Sequence, residues 1–232
     1  MAPLKSINSR KDSTPTKLSL EEELKPEGIS QKDKSYLSFR GEVLRKGIHL
    51  SSLAIPIGYY IFNPTLIISA LFTIFAVSAI FDLIRLYGNY SIKKFLGVAV
   101  GFMIRPRERK SFSGATTIVF AGLLAYLFYD LPIAAAAMVI IIVGDSAAAI
   151  IGRIVGKIRF MNKKSLEGTL AFIMFGILGM LLIPGLDFQL GLVGVLVGAL
   201  FEILPVPVDD NISVPIIAGG VMQMMVAYQM FP

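Results

Sequence analysis

Pro132–Ile151 reads PIAAAAMVIIIVGDSAAAII, an apolar run broken by a single charge, Asp145. Its length matches the roughly 20 helical residues that a bilayer core demands. At 1.5 Å per residue, Asp145 lies roughly 10 Å from the end of the run that leads into a basic loop. A carboxylate at that depth is costly and marks a functional position by default. The plainer reading makes it a buried partner for one Arg or Lys.

Six further apolar stretches flank this one: Gly47–Phe62, Pro64–Leu86, Ala115–Tyr129, Gly168–Ile183, Phe188–Leu204 and Ser213–Met230. Together they predict an all-α, polytopic membrane helix bundle of about seven transmembrane helices. Asn63-Pro64 and Asp130-Leu131-Pro132 read as capped helix starts with proline in the first turn. Pro184-Gly185 and Pro205-Val206-Pro207 read as breaks. Ser91–Ile104 is also apolar, but it carries Lys93 and Lys94 and reads as interfacial.

Composition agrees. The 232 residues are 55% hydrophobic and 16% charged, with mean hydropathy +0.71, whereas soluble domains carry about 25% charge. A soluble domain, a disordered tail and a nucleic-acid-binding module are excluded as readings of the whole. With no cysteine, there is no disulfide, thiolate metal site or cysteine nucleophile.

Met1–Lys46 is polar, lacks the short apolar stretch of a secretory signal, and reads mostly as flexible, with Tyr36–Lys46 already helical. The boundary falls near residue 40: 1–40 a cytosolic tail, 41–232 a transmembrane domain. Lys and Arg number ten in residues 1–46, seven between Arg85 and Lys110, and five between Arg153 and Lys164, which is all 22. Short loops near Asn63, Leu131 and Pro184 have none. The positive-inside rule therefore places the N-terminus in the cytosol and the C-terminus outside.

On that topology the out-of-place polar residues share the cytosolic face. Asp82 and Arg85, three apart, can pair on one helix face. Glu202, Asp209, Asp210 and Asn211 form an oxygen-rich group suited to a hard cation such as magnesium; their plainer reading is a solvated acidic loop with Asn211 as a cap. Gly152, Gly156, Lys157 and Lys164 lie in a loop suited to phosphate. Ser165 caps the next helix, whose N–H groups suit an anion. The plainer reading there is lysine anchoring, glycine packing and a simple cap. A P-loop is rejected, since the glycine spacing is short and Ile158 stands where a metal-binding hydroxyl is required. His49 is the only histidine, so a multi-histidine metal site is out; beside Arg45 and Lys46 it suits phosphate or a proton relay. Arg105 and Glu108 approach the helix start at Ser113-Gly114-Ala115-Thr116. Gly194-x-x-x-Gly198 offers a packing face for a homo-oligomer.

In this order the pieces resemble the polyprenol kinase family, which includes dolichol kinase, phytol kinase and CTP-dependent diacylglycerol kinase. The matching residues are Glu42-Val43-Leu44-Arg45-Lys46-Gly47-Ile48-His49, Asp82-Leu83-Ile84-Arg85, Arg105 with Glu108, Gly114-Ala115-Thr116, Gly144-Asp145-Ser146-Ala147-Ala148 with Gly152 and Gly156, Lys164-Ser165-Leu166-Glu167-Gly168, and Glu202 to Asn211. The family is distantly similar to phosphatidate cytidylyltransferases.

The resemblance implies transfer of the γ-phosphate of a nucleoside triphosphate, often CTP, to the hydroxyl of a membrane lipid alcohol, with Mg2+ as cofactor. Within that expectation Asp145 binds magnesium or accepts the alcohol proton, Asp209 and Asp210 hold metal, and Asn211 orients a ligand. Lys164 and Ser165 would hold phosphate, Glu167 would support Lys164 or the metal, and Arg45, Lys46 and His49 would close the phosphate pocket. The expected partners are the nucleotide, the lipid alcohol and the bilayer, with no nucleic acid. A lipid cytidylyltransferase and a small transporter stay open as alternatives.

Overall fold

In a computed structural model, eight helices are described: α1 (Phe39–Ser51), α2 (Ala54–Ile61), α3 (Pro64–Tyr87), α4 (Gly114–Phe128), α5 (Leu131–Ile154), α6 (Leu166–Met180), α7 (Phe188–Ile203) and α8 (Asp210–Ala227). The structure describes residues 39–89, 111–160 and 164–229. The N-terminal tail, the 91–104 stretch, Arg105 and Glu108 lie outside them, as does the side chain of Glu42. Among the described residues the only extended pairing is an isolated bridge between Arg159 and Ser165.

The bundle is built around α5, which packs against α1, α2, α4, α6, α7 and α8. Ala134, Ala135, Ala136 and Ala137 are all fully buried, as are Met138 and Ile140 to Ile142. A helix apolar all round belongs inside a core, and a run of alanines lets its neighbours come close. α3 is the opposite case. Only Ile67, Leu71 and Asp82 are buried on it, while Phe72, Ile74, Val77, Ile80 and Ile84 are exposed. So large an exposed apolar face belongs against an apolar partner. α3, α5 and α8 are each long and apolar enough to cross a membrane, and α4, α6 and α7 are shorter apolar helices. The described elements are all helices, with the long apolar spans of a membrane protein.

Two expectations change. The first apolar stretch is two helices, because Pro56 lacks an N–H and its ring conflicts with the carbonyl of Ser52, four residues back. The chain turns there through Ser52 N–H to His49 O and Leu53 N–H to Leu50 O, both 3.0 Å. Asn63 caps α3 through Leu66 N–H at 2.9 Å, but Asp130 makes no cap bond to α5. Its carboxylate instead accepts from Gln223 Nε2 at 2.9 Å, tying the start of α5 to α8.

Glycines set the tightest contacts. A Cβ on Gly144 would sit 2.9 Å from the Phe172 ring, and one on Gly194 2.5 Å from Met222 Sδ. Gly194 and Gly198 are thus used between helices of one chain, Gly198 facing Val214 and Ile140 at 3.3 Å.

Candidate functional site

The described side chains singled out in the sequence gather at one end of the bundle, where α1 and α5 meet the starts of α4, α6 and α8 and the end of α7. Lys46, fully buried on α1, donates to Asp145 Oδ2 on α5. His49, one turn further along α1, places Nε2 3.7 Å from the same oxygen. Positions 46 and 49 share a helix face, so one stripe of α1 presents both groups to Asp145.

A second lysine makes the other half. Lys164 Nζ lies 2.9 Å from Asp210 Oδ2 and 3.0 Å from Glu202 Oε1, and it also donates to the Glu202 carbonyl. One ammonium thereby joins the start of α6, the end of α7 and the start of α8. Burial alone would lower the pKa of Lys164, but the carboxylates of Glu202 and Asp210 outweigh it and hold the ammonium above the ordinary lysine value. Glu202 is buried and its Oε2 has no hydrogen-bond partner. The Asp145 carboxylate repels those of Glu202 and Asp210 more weakly than Lys164 attracts them.

Asp209, expected as a metal ligand, is the N-cap of α8. Its Oδ1 accepts from Asn211 N–H at 2.9 Å and from Thr117 Oγ1 at 3.3 Å. The cap is therefore Asp209 and not Asn211. Asn211 Nδ2 reaches Thr117 Oγ1 at 3.3 Å and the Gly114 carbonyl at 3.4 Å, fastening α8 to α4.

Asp82 is the buried staple between α3 and α4. It accepts from Ser113 N–H at 2.8 Å, Ser113 Oγ at 2.9 Å and Thr116 Oγ1 at 2.7 Å. Arg85 pairs with its other oxygen at 2.9 Å and donates to the Ser111 carbonyl at 2.7 Å. The expected Asp82–Arg85 pair is present, with the helix start of α4 added to it.

The glycine loop is structural in geometry. Ser165 caps α6 through Gly168 N–H at 3.1 Å. A Cβ on Gly152 would sit 2.8 Å from Ser165 Oγ, and one on Gly156 2.6 Å from it and against the Gly152 carbonyl. Glu167 turns to the loop backbone, accepting from Lys157 N–H at 2.9 Å and Ile158 N–H at 3.3 Å. Lys164 turns instead to Glu202 and Asp210. The Lys157 side chain is exposed.

Thr117 was not anticipated. Its one sequence signal is weak: a hydroxyl beside Thr116, one turn beyond the Ser113 cap, on a largely apolar helix. Arg45 and His49 also line a cavity of about 550 Å³ between α1, α3 and α4, together with Asp82, Arg85 and Ser113.

Magnesium asks for oxygen ligands and often takes only one or two carboxylates beside the phosphates it accompanies. Among the described residues no group of three or more carboxylate or histidine side chains converges as a cage. Asp145 and Asp210 supply the carboxylate oxygens that a hard cation takes.

No protein-family model matches the chain, and no solved structure matches it. An uncharacterized protein of Rickettsia prowazekii (strain Madrid E) is 25% identical over 189 residues, spanning 77% of this chain and 91% of the relative.

Proposed function

We propose that this protein is a membrane lipid-alcohol kinase. It transfers the γ-phosphate of a nucleoside triphosphate, CTP in the reading the resemblance implies, to a prenol, polyprenol or diacylglycerol hydroxyl. The observation that carries the reading is the paired arrangement of Lys46 with Asp145 and Lys164 with Asp210 and Glu202, beside a cavity with apolar walls.

Phosphoryl transfer needs positioning and charge neutralisation more than covalent chemistry from the protein. Lys46 and Lys164 supply two cations for the phosphate oxygens. As each lysine turns to phosphate, its carboxylate is released for new work. Asp145 then takes the proton of the alcohol as its oxygen bonds to the γ-phosphorus, the bond to the β-phosphate oxygen breaks, and nucleoside diphosphate leaves. His49 beside Asp145 orients the hydroxyl. Asp210 would hold the magnesium that accompanies the nucleotide, which when bound would neutralise developing charge on the transferred group. Asp209, Asn211 and Thr117 keep Asp210 in place.

The topology that goes with this reading is seven spans: α1 and α2 as the first, then α3 to α8 in turn. The basic segments put the N-terminus and the site in the cytosol, where nucleotide is available.

The test is turnover by purified protein in detergent with magnesium, offering γ-labelled CTP and ATP beside prenols and diacylglycerol. Label in a lipid product is expected. Pyrophosphate release from CTP with a phosphorylated lipid would move the assignment to cytidylyl transfer. Silence in both by folded protein would sink catalysis of either kind.

A further inference from the structure

Resting on the kinase reading, we infer that the acceptor lipid lies in the cavity between α1, α3 and α4, its hydroxyl at His49 and its chain along α3. Three observations converge on this occupant.

First, the lining is graded. Asp82 and Arg85 line one end on α3 and Thr73 and Ile74 the other; twelve residues of helix separate Thr73 from Arg85, about 18 Å. A volume of about 550 Å³ lies within the ordinary range for small-molecule sites, about 300–1,000 Å³. A charged end and an uncharged remainder, in which the Thr73 and Ser78 hydroxyls donate to carbonyls of their own helix, complement an amphipath with one polar head.

Second, the polar end adjoins the proposed chemistry. His49 lines the cavity and also stands 3.7 Å from Asp145 Oδ2. A hydroxyl at His49 is thereby presented to the carboxylate that takes its proton.

Third, the cavity is open on the bilayer side. Ile74 and Val77 on its wall are 52% and 64% exposed, so a chain can pass between the cavity and the membrane without crossing water. Another groove, about 480 Å³ between α2, α5 and α6, is lined by no charged residue, and its Tyr60 hydroxyl already donates to the Pro184 carbonyl at 3.1 Å.

The experiment uses a long-chain alcohol with a photoreactive diazirine at mid-chain, on the full-length protein in nanodiscs, with adducts mapped by mass spectrometry. Adducts are expected on α3 between Thr73 and Phe81, reduced by unlabelled alcohol and not by the alkane of equal length. Val77→Trp, which places a large ring in the cavity, should cut their yield about tenfold or more and raise the KM for lipid but not for nucleotide. Ile57→Trp, in the uncharged groove, should leave the yield as it was. Matching thermal midpoints show that both variants fold. Adducts centred on Ile57 and Leu182, or reduced equally by the alkane, would overturn the inference. Lipid phosphate formed with adducts elsewhere leaves the kinase reading standing and removes this site. Adducts in the cavity without any lipid phosphate remove the kinase reading and leave an alcohol site.

Discussion

Lys46 and Asp145 stand 99 residues apart in sequence and meet as an ion pair in which the lysine is wholly buried. Such a pair has two separable consequences. Breaking it takes a counter-charge away from a buried ammonium, whereas replacing both partners with apolar groups removes the demand. Asp145→Asn should therefore cost about 3–5 kcal/mol of stability and abolish turnover. Lys46→Met with Asp145→Leu should recover most of the stability and none of the turnover. Denaturation in detergent beside the labelled-nucleotide assay reads both; turnover by the double variant would end the catalytic role.

Lys164 holds α7 and α8 together as well as standing ready for phosphate. Lys164→Met should raise amide exchange in residues 203–210 and lower turnover about 100-fold or more, as loss of a preorganised charge contact does. Unchanged exchange there would show that the three-way contact at Glu202 and Asp210 does not fasten these helices.

Asp82 touches neither lysine group, yet the helix it fastens carries Gly114 and Thr117, which hold Asn211 and Asp209. Asp82→Ala removes hydrogen bonds to a charged acceptor, each worth about 1.5–3 kcal/mol. It should loosen the first turn of α4, and through it the first turn of α8. Exchange rising in both turns is expected; a rise in α4 alone would cut the link to α8.

Gly156→Ala forces a methyl onto the Gly152 carbonyl and the Ser165 hydroxyl, and overpacking of this kind costs about 1–3 kcal/mol. Gly47 on α1 is the matched control, since a Cβ there meets nothing within 4 Å. Gly47→Ala should stabilise by about 0.8–1 kcal/mol through helix propensity. Equal thermal midpoints for the two variants would contradict the interlock.

The absence of cysteine makes the topology directly testable. Single cysteines at Lys157 and Gln189, one by one, should react on opposite faces with a membrane-impermeant maleimide in oriented vesicles, Lys157 on the cytosolic face. Labelling of both from one side would rule out the seven-span order.

Asp145 was legible because a lone carboxylate in an apolar run violates a strong rule. Its partner was not, because only the packing of α1 on α5 brings Lys46 to it across that sequence distance. The same holds for Lys164, whose carboxylates come from α7 and α8 while the nearer Glu167 goes to backbone amides. The helix spans were legible to within a few residues wherever asparagine, serine or proline marked a start. The break at Ser52 was hidden by continuous hydropathy, although Pro56 encodes it. Thr117 acts through residues about ninety positions away, a pairing no local pattern announces.

The Lys46–Asp145 pair also sets a clock on biosynthesis. Lys46 leaves the ribosome 99 residues ahead of Asp145, an interval of about 5–20 s at ordinary elongation rates of about 5–20 residues per second. Through that interval the first helix carries a lysine whose partner carboxylate on the fifth helix has not yet been made. The contact that joins the first helix to the fifth therefore forms late, and this end of the bundle closes only after its central helix has been released.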